Sequence, residues 1–451
     1  MKLKKFFAAL VIPFFLGVMP VKAEEKSLVE SIDAIIEPYY EDMSVSIKIE
    51  SLTNGELVYE RDSDNYLIPA SNVKLPTGIA ALGNLGSDYH FTTMFYGEII
   101  DCVVKDLYVK GYGDPSLVTE ELEEIVDKFV EKGVKEISGN IFFDDSYFDD
   151  DSRAPGYSET EPEEELKTYN AQLGALSLNF NIVNVLVKGG KKKGYRTSVS
   201  TDPFVDYFKI ENKTKTSSKR GVWANKTDDG VAVYGSVRPR QREIFRMSID
   251  EPGTYFSSTL KHHLEDSGIR VKGEVKEGEI PEDSKILLIH ISKPLGDIVA
   301  DMNEFSNNLI ADQLVKVLDA EFNERPGKYF GGLGIITNYL EGVVGDGYVI
   351  ADGSGLSRNS LFTADDFVGM LSYAYGQKFF DCFMEGLVKR YDNQLRMKTG
   401  TLDDVSAMSG YMLKDGDWMA FSILINSEKL KISKMREIQE NIIKEVLGIE
   451  D

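Results

Sequence analysis

The pattern of apolar and polar positions opens with a helix-like run, Leu28 to Ile36, followed by the alternating stretch Ser44 to Glu50. Asn54-Gly55 then marks a turn and Leu57 to Glu60 resumes the alternation, which predicts a hairpin. The apolar stretch Leu75 to Leu82 predicts a helix that begins near Ser71, with Pro76 close enough to its start to be tolerated. From Phe91 the period changes to two, with strands expected at Thr92 to Ile100, Asp106 to Lys110 and Ile137 to Phe143. Between the last two, Thr119 can cap a helix with Leu122, Ile125, Val126, Phe129 and Val130 on one face, stopped by Gly133.

Strands are predicted again at Ile182 to Val187, Val222 to Ala224, Val231 to Val237 and Glu243 to Ile249. A helix over 253–266 and a strand over 269–275 close this region. It has the pattern of one or two small α+β units set inside a larger domain, without a fixed-period repeat. Helices follow at Asp297 to Met302 and Leu309 to Leu318, broken at Ser306-Asn307-Asn308. A strand at Tyr348 to Ala351 is expected to run into the glycine-rich loop Asp352 to Arg358. Leu395 to Leu402 carries Lys398-Thr399-Gly400, and strands Ser409 to Leu413 and Met419 to Ile425 join at Asp415-Gly416. The final helix, Ile432 to Leu447, is apolar at Ile432, Met435, Ile438, Ile442 and Val446.

Composition places this pattern in a compartment. Residues 1–23 read as a secretory signal: Lys2, Lys4 and Lys5, an apolar core from Phe6 to Met19, and Val21-Lys22-Ala23 at the cleavage point. That core is too short and too interrupted by proline for a good span, so no transmembrane anchor is expected after cleavage, and the protein is expected to be secreted, periplasmic or associated with the cell envelope. The length of 451 residues suggests two or three domains. Removing four signal lysines takes the formal charge from −23 to −27, which argues against nucleic acid as a partner. Basic residues gather at Lys188 to Arg196 and at Lys213, Lys215, Lys219 and Arg220; acidic ones at Asp144 to Asp151 and Glu159 to Glu165. Both read as solvated surface, with a docking face for an anionic wall polymer as the sharper alternative. Cys102 reads as a small buried hydrophobe in a strand-like run, and its pairing with Cys382 is left open. No His, Cys or carboxylate cluster has metal-ligand spacing, no cofactor is implied, and the four histidines lie in no triad or nucleophile-elbow context.

The candidate chemistry begins at Ser71 and Lys74. Three positions apart on a helix, they face the same way, so an amine can reach a hydroxyl and take its proton. A free lysine titrates near ~10.4, so a base at neutral pH needs its pKa depressed by about 2–3 units, through burial or a neighbouring cation. The spacing is common, and Ser258 and Lys261 share it. Company makes the difference: Ser306-x-Asn308 and then Lys398-Thr399-Gly400 follow in order, although serine-x-asparagine also occurs at Ser177 and Ser357.

That trio in that order resembles penicillin-binding proteins and serine β-lactamases. The wider chain resembles the D-alanyl-D-alanine carboxypeptidase/endopeptidase family, the class C low-molecular-mass penicillin-binding proteins. The match rests on 69–74, Gly111 to Leu117, Tyr169-Asn170-Ala171, Ala175 to Asn181, 306–311, Asp352 to Arg358 and 398–402. The resemblance implies an α+β fold. A β-lactamase/DD-peptidase-like domain, an antiparallel sheet flanked by helices, would take 24–90 and 287–451. Two smaller domains would be inserted in it: a mostly β unit from 91–110 and 169–286, and an α/β unit from 111–168. One departure from the family stands out: between Arg358 and Lys398 such proteins carry a longer segment with a Gly-x-Asp-Gly-Thr-Leu-like stretch, and here the corresponding piece is reduced to Arg390 to Leu395. The resemblance further implies Ser71 as nucleophile, Lys74 as base, Ser306 as proton relay, Asn308 as holder of the peptide amide and Lys398 as the source of a positive field. Thr399, Gly400 and Thr401 would bind substrate. The implied partners are peptidoglycan stem peptides, with β-lactams as covalent inhibitors. A serine β-lactamase and a non-catalytic penicillin-binding wall protein are the alternatives.

Overall fold

The computed structural model describes residues 27–159, 166–323 and 326–449. The expected signal segment and most of the acidic run Glu159 to Glu165 lie outside the described residues.

A six-stranded antiparallel sheet forms the larger body, in the order Val388–Arg390, Leu395–Leu402, Val405–Lys414, Asp417–Asn426, Ser44–Ser51, Leu57–Arg61. The predicted N-terminal hairpin therefore pairs with the strands nearest the other end of the chain. Asp415 and Gly416 both take positive φ, 52° and 86°, the two-residue turn whose twist matches flanking strands. Alternation divides the sheet between two cores. Phe421, Ile423 and Ile425 pack with Ile32 and Ile36 of the first helix and Ile438 and Ile442 of the last. Ala420 and Leu424 face the opposite side, with Ile79, Leu314 and Phe367 from helices Lys74–Leu85, Asn308–Asn323 and Ala364–Tyr375.

The insert has a core of its own. Strands Val275–Glu277, Ile141–Asp144, Leu107–Gly111, Thr92–Tyr96 and Ile286–Ile291 form one mixed sheet, and four short strands form another. Two three-stranded sheets follow, Ser198–Asp202/Ile182–Lys188/Arg242–Ser248 and Lys209–Thr216/Gly230–Val237/Gly221–Thr227. Phe95, Phe129, Val185, Val233 and Phe256 belong to one buried cluster. Strand pairing and core thus run across the predicted division between 111–168 and its flanks.

Two local expectations are corrected. Tyr348 to Ala351 is not a strand. Val349 makes only a bridge with Leu361, and the Ala351 N–H donates to Ser360 Oγ at 3.0 Å, so a side chain takes the place of a ladder. Cys102 is not in a strand either. With Asp101 it forms a two-residue turn, at φ 53° and 67°, between Ile99–Ile100 and Val103–Val104, and it is half-buried. Cys102 and Cys382 are both free thiols.

Candidate active site

Ser71 lies on a single 3₁₀ turn, Ala70–Val73, which feeds the helix Lys74–Leu85. The turn is held hard against its surroundings. Ala70 adopts a left-handed φ of 46°, a conformation an alanine keeps only where the surroundings impose it. Asn72, fully buried, donates to Ser409 Oγ at 2.7 Å, and Ser409 is hydrogen-bonded to Ser422 Oγ at 2.9 Å, which fastens the turn to the sheet. Gly400 is required by closeness: a Cβ there would stand 2.5 Å from the Pro69 carbonyl oxygen and 3.0 Å from the Ser71 nitrogen.

Lys74 is completely buried. Its Nζ lies 3.2 Å from Ser71 Oγ, 2.7 Å from Asn308 Oδ1 and 2.6 Å from the Ser354 carbonyl oxygen. Charged, the ammonium donates to all three. Neutral, the amine keeps two N–H donors for Asn308 and Ser354 and turns its lone pair to the Ser71 hydroxyl. Burial pushes Lys74 down to about 8, against the opposing pull of Asp312 and Asp352.

The strand Leu395–Leu402 brings in the second lysine. Lys398 Nζ donates to Ser306 Oγ at 2.9 Å and to the Thr399 carbonyl at 2.8 Å, and the residue is 2% exposed. Ser306 sits between two helices at a left-handed φ of 53°, which aims its hydroxyl out of the helical path. Burial, and then the neighbouring Lys74, push Lys398 down to about 6. Burial is the leading cause for both lysines. The outer strand Val388–Arg390 covers the sheet edge only as far as Met397, so Lys398 to Leu402 is an open edge. Thr399 is exposed, while the Thr401 hydroxyl accepts from Arg436 Nη2 of the last helix at 2.8 Å.

The structure thus gathers Ser71, Lys74 and Asn308 in one hydrogen-bonded group and Lys398 and Ser306 in another, with Gly400 packed on the Ser71 turn. Among the described residues no direct hydrogen bond joins the two groups.

Sequence reasoning missed the floor beneath Lys74. Asp312 accepts from Tyr329 Oη at 2.6 Å, Tyr157 Oη at 3.1 Å and the Gly353 N–H at 3.1 Å. Asp352 accepts from the N–H groups of Gly355, at 2.8 Å, and Ser357, at 2.6 Å. Burial raises both carboxyls, and Asp312 adds to the rise of Asp352, to about 7. A signal for Asp312 existed: it lies four residues after Asn308 on the same helix, hence on the same face. The insert also reaches the site, because Asn308 Nδ2 donates to the Tyr169 carbonyl at 3.3 Å.

An antiparallel sheet flanked by helices, with a serine paired to a buried lysine on one side of a Lys-Thr-Gly strand, defines the β-lactamase/DD-peptidase class of fold. Within that class the chain belongs to the D-Ala-D-Ala carboxypeptidase 3 (S13) family, whose sequence pattern matches residues 28–445. It is 31% identical to a D-alanyl-D-alanine carboxypeptidase of Actinomadura sp. over 91% of this chain and 84% of that one. It is 22% identical to the carboxypeptidase DacB of Haemophilus influenzae, over 90% and 91% of the two chains. The crystal structure of penicillin-binding protein 4 from Haemophilus influenzae superposes with a TM-score of 0.76 at 21% identity, over 91% of this chain and 99% of that one. The same protein has also been solved in complex with a β-lactam.

Proposed function

We propose that the chain is a serine D-alanyl-D-alanine carboxypeptidase, acting on peptidoglycan stem peptides outside the cytoplasm once residues 1–23 are removed, and able to cut cross-linked peptides as an endopeptidase. The observation that carries this is the lone-pair geometry of Lys74: an amine lowered to about 8, 3.2 Å from a serine hydroxyl, with its two other positions already taken. Ser71 Oγ attacks the carbonyl of the penultimate D-alanine while Lys74 takes its proton. The backbone N–H groups of Ser71 and Thr401 hold the oxyanion, where one donor is worth about 10²–10³ in rate. The proton reaches the leaving amine through Ser306, Asn308 holds the peptide amide, and water then releases the acyl group. β-Lactams acylate Ser71 in the same way and leave slowly.

The two lysines act as a pair. Between about pH 6 and 8 they hold one proton between them. A substrate carboxylate arriving beside Lys398 and Thr399 draws that proton to Lys398 and leaves Lys74 free to act as base. Substrate binding thus arms the nucleophile.

The same reading makes 24–90 and 287–451 the catalytic body, supported by the pairing of Ser44–Ser51 with Asp417–Asn426, apart from the strand Ile286–Ile291, which pairs with Thr92–Tyr96 in the insert's sheet. The test is labelling with a fluorescent penicillin together with mass analysis of muropeptides. Ser71→Ala must lose the adduct, and the native protein must remove terminal D-alanine. An adduct that persists in Ser71→Ala, or fast turnover of nitrocefin without peptide hydrolysis, overturns the proposal.

A further inference from the structure

In the insert, the sheet Lys209–Thr216/Gly230–Val237/Gly221–Thr227 turns one face inward, where Val231 and Val233 enter the insert's core, and the other face to solvent. On the outer face Lys213, Tyr234 and Trp223 stand directly opposite one another across three strands. The Trp223 and Tyr234 rings are near-parallel, 13° apart with centroids 6.0 Å apart, and Lys213 Nζ lies 5.4 Å from the Tyr234 centroid. Trp223 is 54% exposed, although it is one of only two tryptophans in the chain. The rows on either side bring Glu211 with Asn225, and Lys215. Lys209, Lys213 and Lys215 face the single carboxylate of Glu211, so this face is locally positive on a chain of charge −23.

A cross-strand aromatic pair adds stability to any sheet, but that role does not require the indole to face water. The exposed flat surface, the amide and carboxylate of Asn225 and Glu211, and cations on one side match one kind of polymer. Sugar rings present apolar faces to aromatic side chains, their acetamido and hydroxyl groups need donors and acceptors, and the stem peptides hanging from them carry carboxylates. We propose that this face is a second binding site, which holds the intact glycan strand of peptidoglycan: saccharide on Trp223 and Tyr234, stem-peptide carboxylate on Lys213 and Lys215. The choice of polymer rests on the function proposed above; the chemistry of the face does not.

The test is retention of the protein by insoluble peptidoglycan from which anionic polymers have been stripped with acid. Untreated and penicillin-acylated protein are run side by side, so that the cleft at Ser71 is open in one and blocked in the other. Trp223→Ala is expected to bind about tenfold more weakly in both states, equivalent to about 1.4 kcal/mol. Trp223→Phe should recover most of the loss, and hydrolysis of a small soluble D-alanyl-D-alanine peptide should stay at the native rate. Equal retention of native protein and Trp223→Ala overturns the proposal. So does retention that needs the unstripped wall and falls only in Lys213→Ala/Lys215→Ala, which gives the face to a polyanion. If Trp223→Ala does not fold, a Trp418→Phe protein leaves Trp223 as the sole tryptophan, and its emission must shift on adding peptide-free glycan chains; no shift refutes the site. Absence of a penicillin adduct counts against the catalytic reading alone.

Discussion

Lysine is used in two opposite ways in this molecule. Lys74 and Lys398 are buried between helices and sheet, and burial pushes both down, to about 8 and about 6. Lys213, on the outer face of the insert, is exposed and pushed up, first by Glu211 at 2.8 Å and then by Tyr234. Water sets the difference. An ammonium stripped of hydration becomes ready to give up its proton, which suits a base; one left in solvent keeps its charge, which suits a docking face. The positions that create chemistry are therefore those where the fold makes charge costly.

The largest way to break this contrast is to remove the buried amine. Lys74→Ala should lower acylation by about 10²–10⁴-fold, read as the rate of penicillin adduct formation, with the fold kept as judged by circular dichroism. Gly400→Ala comes next. Its new methyl meets the Pro69 carbonyl oxygen, separates strand from turn and should cost about 10²–10³ in rate through the oxyanion site.

The paired lysines predict a bell-shaped pH profile of kcat/KM, with limbs near 6 and 8. One proton on the pair is needed, so activity falls below the lower value as both lysines are charged and Lys74 cannot act as base, and falls above the upper one as Lys74 gives up the pair's last proton and none is left to charge Lys398. Asp352→Asn sharpens the assignment with a smaller effect. Asp352 raises Lys74, so removing its charge should move the limb near 8 to lower pH. A limb that moves upward contradicts the assignment. Smallest of all, Lys213→Ala should leave the profile on a soluble peptide unmoved.

The three motifs were legible because each fixes a reacting group at a spacing that chemistry dictates, and the hairpins because turn residues such as Asp415-Gly416 announce themselves. What escaped was set by tertiary packing. Helix Tyr329–Val344 carries Gly331, Gly332, Gly334 and Gly342, poor helix formers, yet it forms because its backbone packs against helix Asn308–Asn323, where Gly332 meets the Val315 carbonyl. Tyr157 and Tyr329 converge on Asp312 from distant segments, so no local pattern marks them. The division of the insert was equally hidden, since parallel pairing of Ile141–Asp144 with both Leu107–Gly111 and Val275–Glu277 leaves no periodic trace.

Because Ser44–Ser51 is flanked by Asp417–Asn426, an early strand must wait, during synthesis, for a partner more than three hundred residues behind it. The insert, which has a buried cluster of its own, can consolidate that cluster first, whereas the serine-bearing turn gains its sheet support only when the last hairpin arrives. A protein cut short before that hairpin would carry every one of its reactive residues up to Lys398 and still be unable to arm them.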